Sequence, residues 1–338
     1  MSPGSDDAIG PRATPGDAPP LEVRGLVKRY GELTAVAGVD ITVNSGDVYG
    51  YLGPNGAGKT TSLRMMMGLI RPTEGSVRLF GRDPQSTVHA LQGVAGFVEA
   101  PTFYPYLNAR RNLELLAAYD GGGAAGRIAE ALEAVELSGR AKDRVGGFSH
   151  GMRQRLGIAA ALLRDPKLLL LDEPATGLDP AGMRDMRLLI RRLAGQGMTV
   201  VLSSHLLAEV EDVCNRVAIV RSGRIVYEGE IAALKRGAGT SYRLETTDDE
   251  RALAVCAAQP GISEVHRNEH GRIVFTADET AVTGLSQALV EAGALIRALA
   301  PQTVTLEDLF FDFTEGDGRA TGAPDTTAST PEPAATGG

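Results

Sequence analysis

The sequence predicts an α/β fold with a largely parallel central sheet, and three observations support this prediction. Residues 167–171 form a continuous apolar run, which is typical of a strand buried on both faces. Residues 47–52 form a short strand that leads into a glycine-rich loop and then a helical pattern over 60–69. Over about 81–164 the apolar spacing becomes helical. Strands that alternate with helices favour a parallel sheet covered by helices.

Antiparallel strands are predicted on both sides of this core. Apolar and polar residues alternate in parts of 21–47, which indicates antiparallel strands. Ser222 and Gly223 join two apolar runs, and this spacing predicts a β-hairpin over 217–227. We predict one further strand and three helices, at 200–202, 107–119, 124–137 and 149–163. Residues 21–236 therefore form one predicted domain, with a helical subdomain at about 81–164.

A smaller α+β domain is predicted at 237–314, after a change of composition at 235–239. Its pattern has the order βαββαβ, followed by a terminal helix at 305–313. The strands are predicted at 242–246, 262–267, 272–276 and 295–299, and the helices at 249–258 and 280–292. Residues 1–20 are rich in Pro, Gly, Ala and Asp, and residues 315–338 in Gly, Thr, Pro and Ala, so we expect both tails to be disordered.

The composition is that of an ordinary soluble globular protein. The 338 residues exceed what one hydrophobic core usually serves, which agrees with two predicted domains. No apolar run approaches the roughly 18 residues of a transmembrane helix, and the N-terminus lacks the pattern of a signal peptide. Cys214 and Cys256 have no partner motif and fit buried thiols in a reducing cytosol. The net charge of −8, without a long basic stripe, argues against nucleic acid as the main partner.

A phosphate-loop motif lies between the strand at 47–52 and the following helix. Its glycines allow backbone N–H groups to turn inward around an anion, and the helix N-terminus adds positive potential. Lys59 supplies a charge for the β- and γ-phosphates, and the Thr60 hydroxyl can ligate Mg²⁺. A chance glycine-rich turn is the alternative, and the strand-and-helix context argues against it. The predicted nucleotide contacts are Gly53, Pro54, Asn55, Gly56, Ala57, Gly58, Lys59, Thr60 and Thr61.

Two acidic residues, Asp172 and Glu173, follow the buried strand. The carboxyl ends of strands in an open α/β sheet are where ligands bind. Asp172 would hold Mg²⁺ directly or through water, and Glu173 would accept a proton from the attacking water. Adjacent acids after a strand also occur as plain solvated turns, and only the phosphate loop makes the functional interpretation strong.

With these motifs, the chain resembles the nucleotide-binding domain of the ABC transporter family over residues 21 to about 236. Residues 148–155 resemble the signature motif, usually written LSGGQ, and residues 178–180 resemble the D-loop. His205 resembles the switch histidine, and Tyr30 resembles the aromatic residue that stacks on adenine. A guanine-reading Asn-Lys-x-Asp motif is absent from the sequence, which disfavours a GTPase.

The resemblance implies a phosphate-loop NTPase fold with an antiparallel β subdomain, and it implies roles for several residues. Ser149 and Gly151 would contact phosphate, although Ser149 is also an ordinary helix N-cap. His205 would donate to the γ-phosphate and hold the attacking water. Tyr30 would stack on adenine rather than fill the core. Asp179 would tighten the contact between two copies.

The sequence departs from the family pattern at two places. Glu99 stands where the family usually has Gln, and a carboxylate there would be a harder Mg²⁺ ligand. At this point the chain resembles peptide-antibiotic exporters of the lantibiotic and bacitracin type. In the signature motif, His150 and Met152 replace Gly and Gln. Because Ser149 and Gly151 remain, phosphate contact should survive.

The sequence therefore predicts the ATP-hydrolysing subunit of an ABC exporter, with ATP and Mg²⁺ as cofactors. The resemblance implies an integral membrane permease and a second nucleotide-binding domain as partners. It also implies a cytoplasmic location at the inner face of the membrane, and an accessory role for the C-terminal domain. One alternative is a soluble ABC ATPase that acts on ribosomes or DNA, and another is a non-hydrolytic regulatory module. The presence of Glu173 and His205 argues against the second alternative.

Overall fold

The computed structural model describes residues 18–119, 123–237, 240–268 and 271–302. The predicted terminal helix at 305–313, the tail at 315–338 and nearly all of the N-terminal tail lie outside these residues. The strands are β1 (Leu21–Tyr30), β2 (Leu33–Val43), β3 (Val48–Leu52), β4 (Glu74–Leu79), β5 (Val94–Phe97), β6 (Leu168–Asp172), β7 (Thr199–Ser204), β8 (Arg216–Arg221), β9 (Arg224–Glu230), β10 (Thr240–Thr246), β11 (Ile262–Arg267), β12 (Ile273–Ala277) and β13 (Ile296–Gln302).

Nine α-helices and four 3₁₀ turns connect the strands within the described residues. The α-helices are α1 (Lys59–Met66), α2 (Ala109–Tyr119), α3 (Ile128–Ala134), α4 (His150–Leu162), α5 (Pro180–Gly195), α6 (Leu207–Val213), α7 (Ile231–Gly237), α8 (Asp249–Ala258) and α9 (Glu279–Glu291). The 3₁₀ turns are Val88–Leu91, Ala125–Arg127, Ser138–Arg140 and Val145–Gly147.

The central sheet has six strands in the order β5-β6-β7-β3-β8-β9. The first five are parallel, and β9 pairs with β8 as the predicted antiparallel hairpin. Every residue of β3, β6 and β7 is buried, because helices and other strands cover both faces. The parallel order brings the carboxyl ends of β3, β6 and β7 to one edge of the sheet.

The antiparallel β subdomain is a three-stranded sheet in the order β2-β1-β4, as the alternation over 21–47 indicated. Its inner residues pack against α1 and the central sheet in one core cluster, which includes Leu21, Ile41, Leu63 and Met65. The strand β4 was not predicted, because only two of its six residues are buried.

The helical subdomain contains α2, α3 and α4. The predicted helix over 124–137 was wrong in its extent: the chain forms a 3₁₀ turn, then α3, and leaves the helix by Glu136, whose φ is 59°. The helix α5 was not predicted, although its signals are strong. Asp179 caps α5 by accepting from the Gly182 N–H at 3.1 Å, and Pro180 follows at the first helical position.

The C-terminal region has the predicted βαββαβ order, with its four strands arranged β11-β12-β10-β13. Its core is a separate apolar cluster that includes Leu244, Phe275, Leu285 and Leu289. The ring of Tyr242 stacks on Phe275 at a centroid distance of 5.6 Å. In the part of the chain that the structure describes, no helix has the length and apolar character needed to span a membrane.

Candidate functional site

The loop between β3 and α1 depends on glycine for close backbone approach. A Cβ on Gly58 would lie 2.3 Å from the Ala35 carbonyl oxygen, and its φ of 98° is in the left-handed region. A Cβ on Gly53 would lie 2.5 Å from the Val220 carbonyl oxygen. Only glycine fits these two positions, so the loop can turn tightly into α1.

Lys59, the first residue of α1, has its ammonium group enclosed by the loop. Its Nζ donates to the carbonyl oxygens of Gly53 at 2.8 Å and Pro54 at 3.2 Å, and lies 3.2 Å from Glu173 Oε1. The Lys59 side chain is 5% exposed. A buried ammonium needs such partners to offset its desolvation. Around it Pro54, Asn55 and Gly56 are exposed, Ala57 is buried, and Thr60 and Thr61 are half-buried.

Asp172 is the last residue of β6 and lies opposite Ser203 of β7 in the parallel register. The Ser203 hydroxyl donates to Asp172 Oδ1 at 2.5 Å and accepts from the Glu173 N–H at 2.9 Å. One serine therefore orients the side chain of the first acid and the backbone of the second.

The Glu173 carboxylate lies at the centre of the site. Its Oε2 accepts from the Thr176 hydroxyl at 2.7 Å and lies 3.0 Å from His205 Nδ1, while Oε1 faces Lys59. Burial raises the pKa of Glu173, but hydrogen bonds from Thr176 and Lys59 and the nearby positive charge outweigh it, so the pKa lies below its ordinary value. The φ of Glu173 is 46°, which is rare for a non-glycine residue and typical of functional sites.

His205 follows β7 directly, and a buried network supports the turn that carries it. The Ser204 hydroxyl donates to Glu209 Oε2 at 2.8 Å and accepts from the Leu206 N–H at 2.9 Å. Burial raises the pKa of Glu209, against the hydrogen bond from Ser204. The turn is thereby held on both sides of His205.

The signature and D-loop residues form a second cluster. Ser149 caps α4 by accepting from the Met152 N–H at 3.2 Å. Ser149, Gly151 and Asp179 line one groove between α4 and α5. Within the described residues, no hydrogen bond or ion pair links these three residues directly to Lys59. The N-terminus of α4 and the phosphate loop are therefore two separate groups of donors in one chain.

The remaining predicted residues lie at the surface. Tyr30 is 49% exposed, and the Lys28 ammonium lies 5.0 Å from its ring centroid. The core alternative for Tyr30 is thereby excluded. Glu99 forms an ion pair with Arg64 of α1 rather than a contact with Asp172. Among the described residues, no cluster of three or more His, Cys, Asp or Glu side chains could hold a metal ion.

Sequence reasoning missed two residues of the site, Thr176 and Ser203. Thr176 left a weak signal in the sequence. Thr176 is three residues after Glu173, a spacing at which a turn can close, and its N–H donates to the Glu173 carbonyl oxygen at 3.1 Å. Ser203 is the last residue but one of β7 and pairs with Asp172 of β6, and no sequence signal indicates this because strand order is a property of the tertiary structure.

Known proteins are similar to this chain in sequence. The family model described as "ABC transporter" matches residues 36–176. The bacitracin transport ATP-binding protein BcrA of Bacillus licheniformis is 37% identical over 292 residues, which is 86% of this chain and 95% of that protein. The daunorubicin resistance ATP-binding protein DrrA3 of Streptomyces coeruleorubidus is 34% identical and covers 88% of this chain and 97% of its own.

Solved structures of ABC transporter ATP-binding subunits are similar to this chain in fold. The structure of an ATP-binding subunit of an ABC transporter matches with a TM-score of 0.57 at 28% identity, over 64% of this chain and 92% of that chain. A nucleotide-free ATP-binding cassette of an ABC transporter matches with a TM-score of 0.58 at 25% identity, over 63% and 91%. The chain therefore belongs to the family of ABC transporter ATP-binding proteins, which hydrolyse ATP to drive transport through a separate membrane permease.

Proposed function

We propose that this chain powers the export of an antibiotic or other drug, by hydrolysing Mg²⁺-ATP in a pair of nucleotide-binding domains. The convergence of Lys59, His205 and Thr176 on the Glu173 carboxylate carries this proposal. A carboxylate held ionised at neutral pH beside a phosphate loop is suited to accept a proton from water.

The phosphate loop supplies the first half of the ATP site. Inward-facing N–H groups and the N-terminus of α1 would bind the phosphates, with Lys59 as their point charge. Because Lys59 also faces Glu173 Oε1, bound phosphate oxygens compete with Glu173 for the ammonium group. This exchange would leave Oε1 available to water. Tyr30, with half of its side chain exposed, is available to stack on the adenine ring.

The donor set suits Mg²⁺. The Thr60 hydroxyl and the Asp172 carboxylate offer hard oxygen ligands, and Mg²⁺ prefers few protein oxygens together with phosphate. The Asp172 side chain is oriented by Ser203, so its carboxylate is already fixed. When bound, the ion would neutralise charge on the β- and γ-phosphates.

Glu173 and His205 would carry the chemistry. Glu173 would take the proton from the attacking water. Because Nδ1 of His205 donates to the Glu173 carboxylate, Nε2 of the neutral ring is an acceptor and would position that water. Their separation of 3.0 Å lets the histidine fix the carboxylate as well as the water. Asp172 stays with the metal, so the two adjacent acids have different tasks.

A second copy would complete the site. In the part of the chain that the structure describes, no hydrogen bond or ion pair joins Ser149 or Gly151 to the phosphate loop, so we expect their N–H and hydroxyl donors to bind the nucleotide of another chain. A helix N-terminus favours phosphate, and two such exchanges in a symmetric pair form an isologous interface. Asp179, in the same groove, would contribute to this interface.

The permease would dock on the helical subdomain. Large apolar side chains on α2 and the turn before it are exposed: Tyr104 at 52%, Tyr106 at 65% and Tyr119 at 88%. The rings of Tyr104 and Tyr106 lie 5.8 Å apart, and such an exposed aromatic pair supports a protein contact on this side of the subdomain. The drug and antibiotic names of the relatives support the class of cargo.

The test is ATP-dependent pairing of Glu173→Gln. Losing a general base costs about 10²–10⁴-fold in rate, so bound ATP should persist and hold the pair closed. Sedimentation with Mg²⁺-ATP should give a dimer for Glu173→Gln and none for the double variant with Ser149→Arg, which blocks the interface by bulk and charge. A monomeric Glu173→Gln at saturating ATP contradicts the shared site. Purification from membranes in mild detergent with a bound permease would separate this proposal from a ribosome- or DNA-associated ATPase.

A further inference from the structure

His150 is a side chain for which the function proposed above has no use. It is the first residue of α4, where the signature motif of the family has glycine, and it lies between Ser149 and Gly151. A glycine at this position could make no side-chain contact. The imidazole therefore adds an interaction that the general motif lacks.

The imidazole contacts the segment that follows the acidic pair. His150 Nε2 lies 3.1 Å from the Thr176 carbonyl oxygen. The ring also packs beside the backbone of Gly177, where a Cβ would lie 3.5 Å from Nε2. A carbonyl oxygen only accepts, so Nε2 carries the hydrogen and donates it. In the neutral ring, Nδ1 is then the nitrogen without a proton.

Thr176 in turn forms two hydrogen bonds with Glu173. Its hydroxyl donates to Glu173 Oε2 at 2.7 Å, and its N–H donates to the Glu173 carbonyl oxygen at 3.1 Å. The Thr176 carbonyl oxygen is thus bound by His150 of the signature motif, and the Thr176 hydroxyl binds the Glu173 carboxylate. Because the φ of Glu173 is 46°, its conformation depends on such surrounding contacts.

A second contact joins α4 to the helix that follows this segment. Arg155 of α4 donates to Asp185 of α5 at 2.5 Å, and its side chain is 19% exposed. The start of α4 is therefore linked to the segment between β6 and α5 by His150, and the middle of α4 is linked to α5 itself by Arg155.

We propose that His150 is a positioning residue for Glu173, acting through Thr176, and so links the signature motif to the general base of the same chain. This inference rests on the proposed function. If Ser149 and Gly151 bind the nucleotide of a second copy, that contact fixes the start of α4. His150 then fixes Thr176, and Thr176 orients the base at the chain's own nucleotide. The two sites of the pair are coupled through this sequence of contacts.

The first experiment measures steady-state ATPase activity of His150→Ala and His150→Gln in the full chain with its permease. His150→Ala should lower kcat about tenfold, the effect of losing one orienting hydrogen bond, with KM for ATP within about twofold. His150→Gln keeps an N–H donor and should recover most of kcat. His89→Ala, which changes an exposed histidine of a 3₁₀ turn, is the matched control and should equal wild type. Equal melting temperatures establish that the variants fold.

The second experiment tests the route through Thr176. If His150 acts through the Thr176 hydroxyl, the double variant His150→Ala/Thr176→Val should lose no more activity than the worse single variant. Adding His150→Ala to Glu173→Gln should leave ATP-dependent pairing intact. Loss of pairing would mean that His150 binds the second copy's nucleotide instead, and this result overturns the positioning role.

The outcomes separate the inference from the proposed function. A wild-type complex without ATPase activity contradicts the proposed function. An active wild type with unchanged kcat in His150→Ala overturns only the role of His150. A His150→Gln variant as slow as His150→Ala also overturns it, because the ring would then serve packing rather than hydrogen bonding.

Discussion

The ATP-binding domain and the C-terminal domain differ in how many polar and charged side chains they bury. In the ATP-binding domain, the buried Asp172 and Ser203 hydrogen-bond to each other at the carboxyl ends of β6 and β7, and the buried Lys59 lies beside Glu173. In the C-terminal domain, the buried polar residue among those that the structure describes is the uncharged Thr246, and an ion pair such as Arg267–Glu250 lies at the surface, with Glu250 87% exposed. Buried charge is costly and persists where partners hold it, and among the described residues buried charged side chains occur in the ATP-binding domain alone.

The sharpest test of this difference is Lys59→Ala. The variant loses the only charged ligand that the phosphate loop offers, so the affinity for ATP should fall about 100-fold, with turnover lost. Fluorescent-nucleotide titration and phosphate release measure both. Lys142→Ala, at an exposed position of the helical subdomain, is the control and should bind as wild type does. If Lys59→Ala binds ATP with the affinity of wild type, residues 53–60 are not the phosphate-binding loop.

Phe275→Ala makes the complementary change in the C-terminal domain. Phe275 is fully buried in the core cluster there, and its truncation should cost about 3–5 kcal/mol in the free energy of unfolding. ATPase activity should be kept at temperatures below the new transition, because the catalytic residues belong to other strands. Calorimetry and ATPase assays on the same samples check this, with Thr276→Ala as the neighbouring control. Loss of activity without loss of stability would mean that the two regions are coupled.

The pH dependence of stability sharpens the comparison further. Folding favours the ionised form of Glu173, since its pKa in the folded state is lowered from 4.5. This contribution is fully present above the pKa of the unfolded chain and is lost as pH falls through the folded pKa. The Tm of wild type should therefore exceed that of Glu173→Gln near pH 7, and the difference should shrink below about pH 4.5. Glu250→Gln, which breaks an exposed ion pair, should change Tm little at neutral pH.

The smallest effect is expected at Glu99. Its carboxylate pairs with Arg64 at the surface, with side chains 66% and 36% exposed, and such pairs contribute little to stability. Glu99→Gln should retain ATPase activity within about threefold, with a changed preference between Mg²⁺ and Mn²⁺ if the carboxylate reaches the metal. Arg64→Gln breaks the ion pair of Glu99, and it should shift the Mg²⁺ and Mn²⁺ titration curves in the direction opposite to the shift in Glu99→Gln. Superimposable Mg²⁺ and Mn²⁺ titration curves of wild type and Glu99→Gln would show that Glu99 does not affect metal preference and forms only its surface ion pair.

The sequence was sufficient where one local pattern dictates both geometry and chemistry. The phosphate loop is such a case, because Gly58 needs a left-handed backbone and Lys59 follows directly at the start of a helix. The buried strand before Asp172 and the N-cap at Ser149 are two others. In each, a few adjacent residues decide the backbone conformation, and the side chain's position follows from it.

Local patterns failed where burial is uneven or where a turn ends an element. The strand β4 has mostly exposed residues, so its hydrophobic period is weak. The segment 124–137 has a helical period throughout, but Glu136 leaves the helix with a positive φ. The hydrophobic period of a sequence shows which face of a helix is apolar, but it does not show at which residue the helix ends.

By itself, the sequence determined the α/β class, the phosphate loop, the acidic pair and the order of the motifs, because all of these are written within short stretches. Only the tertiary structure decided which side chains meet. Lys59, Thr176 and His205 surround Glu173 because the parallel strands β3, β6 and β7 end at one edge of the sheet. Contacts across such distances in sequence depend on strand order and register, which no local pattern encodes.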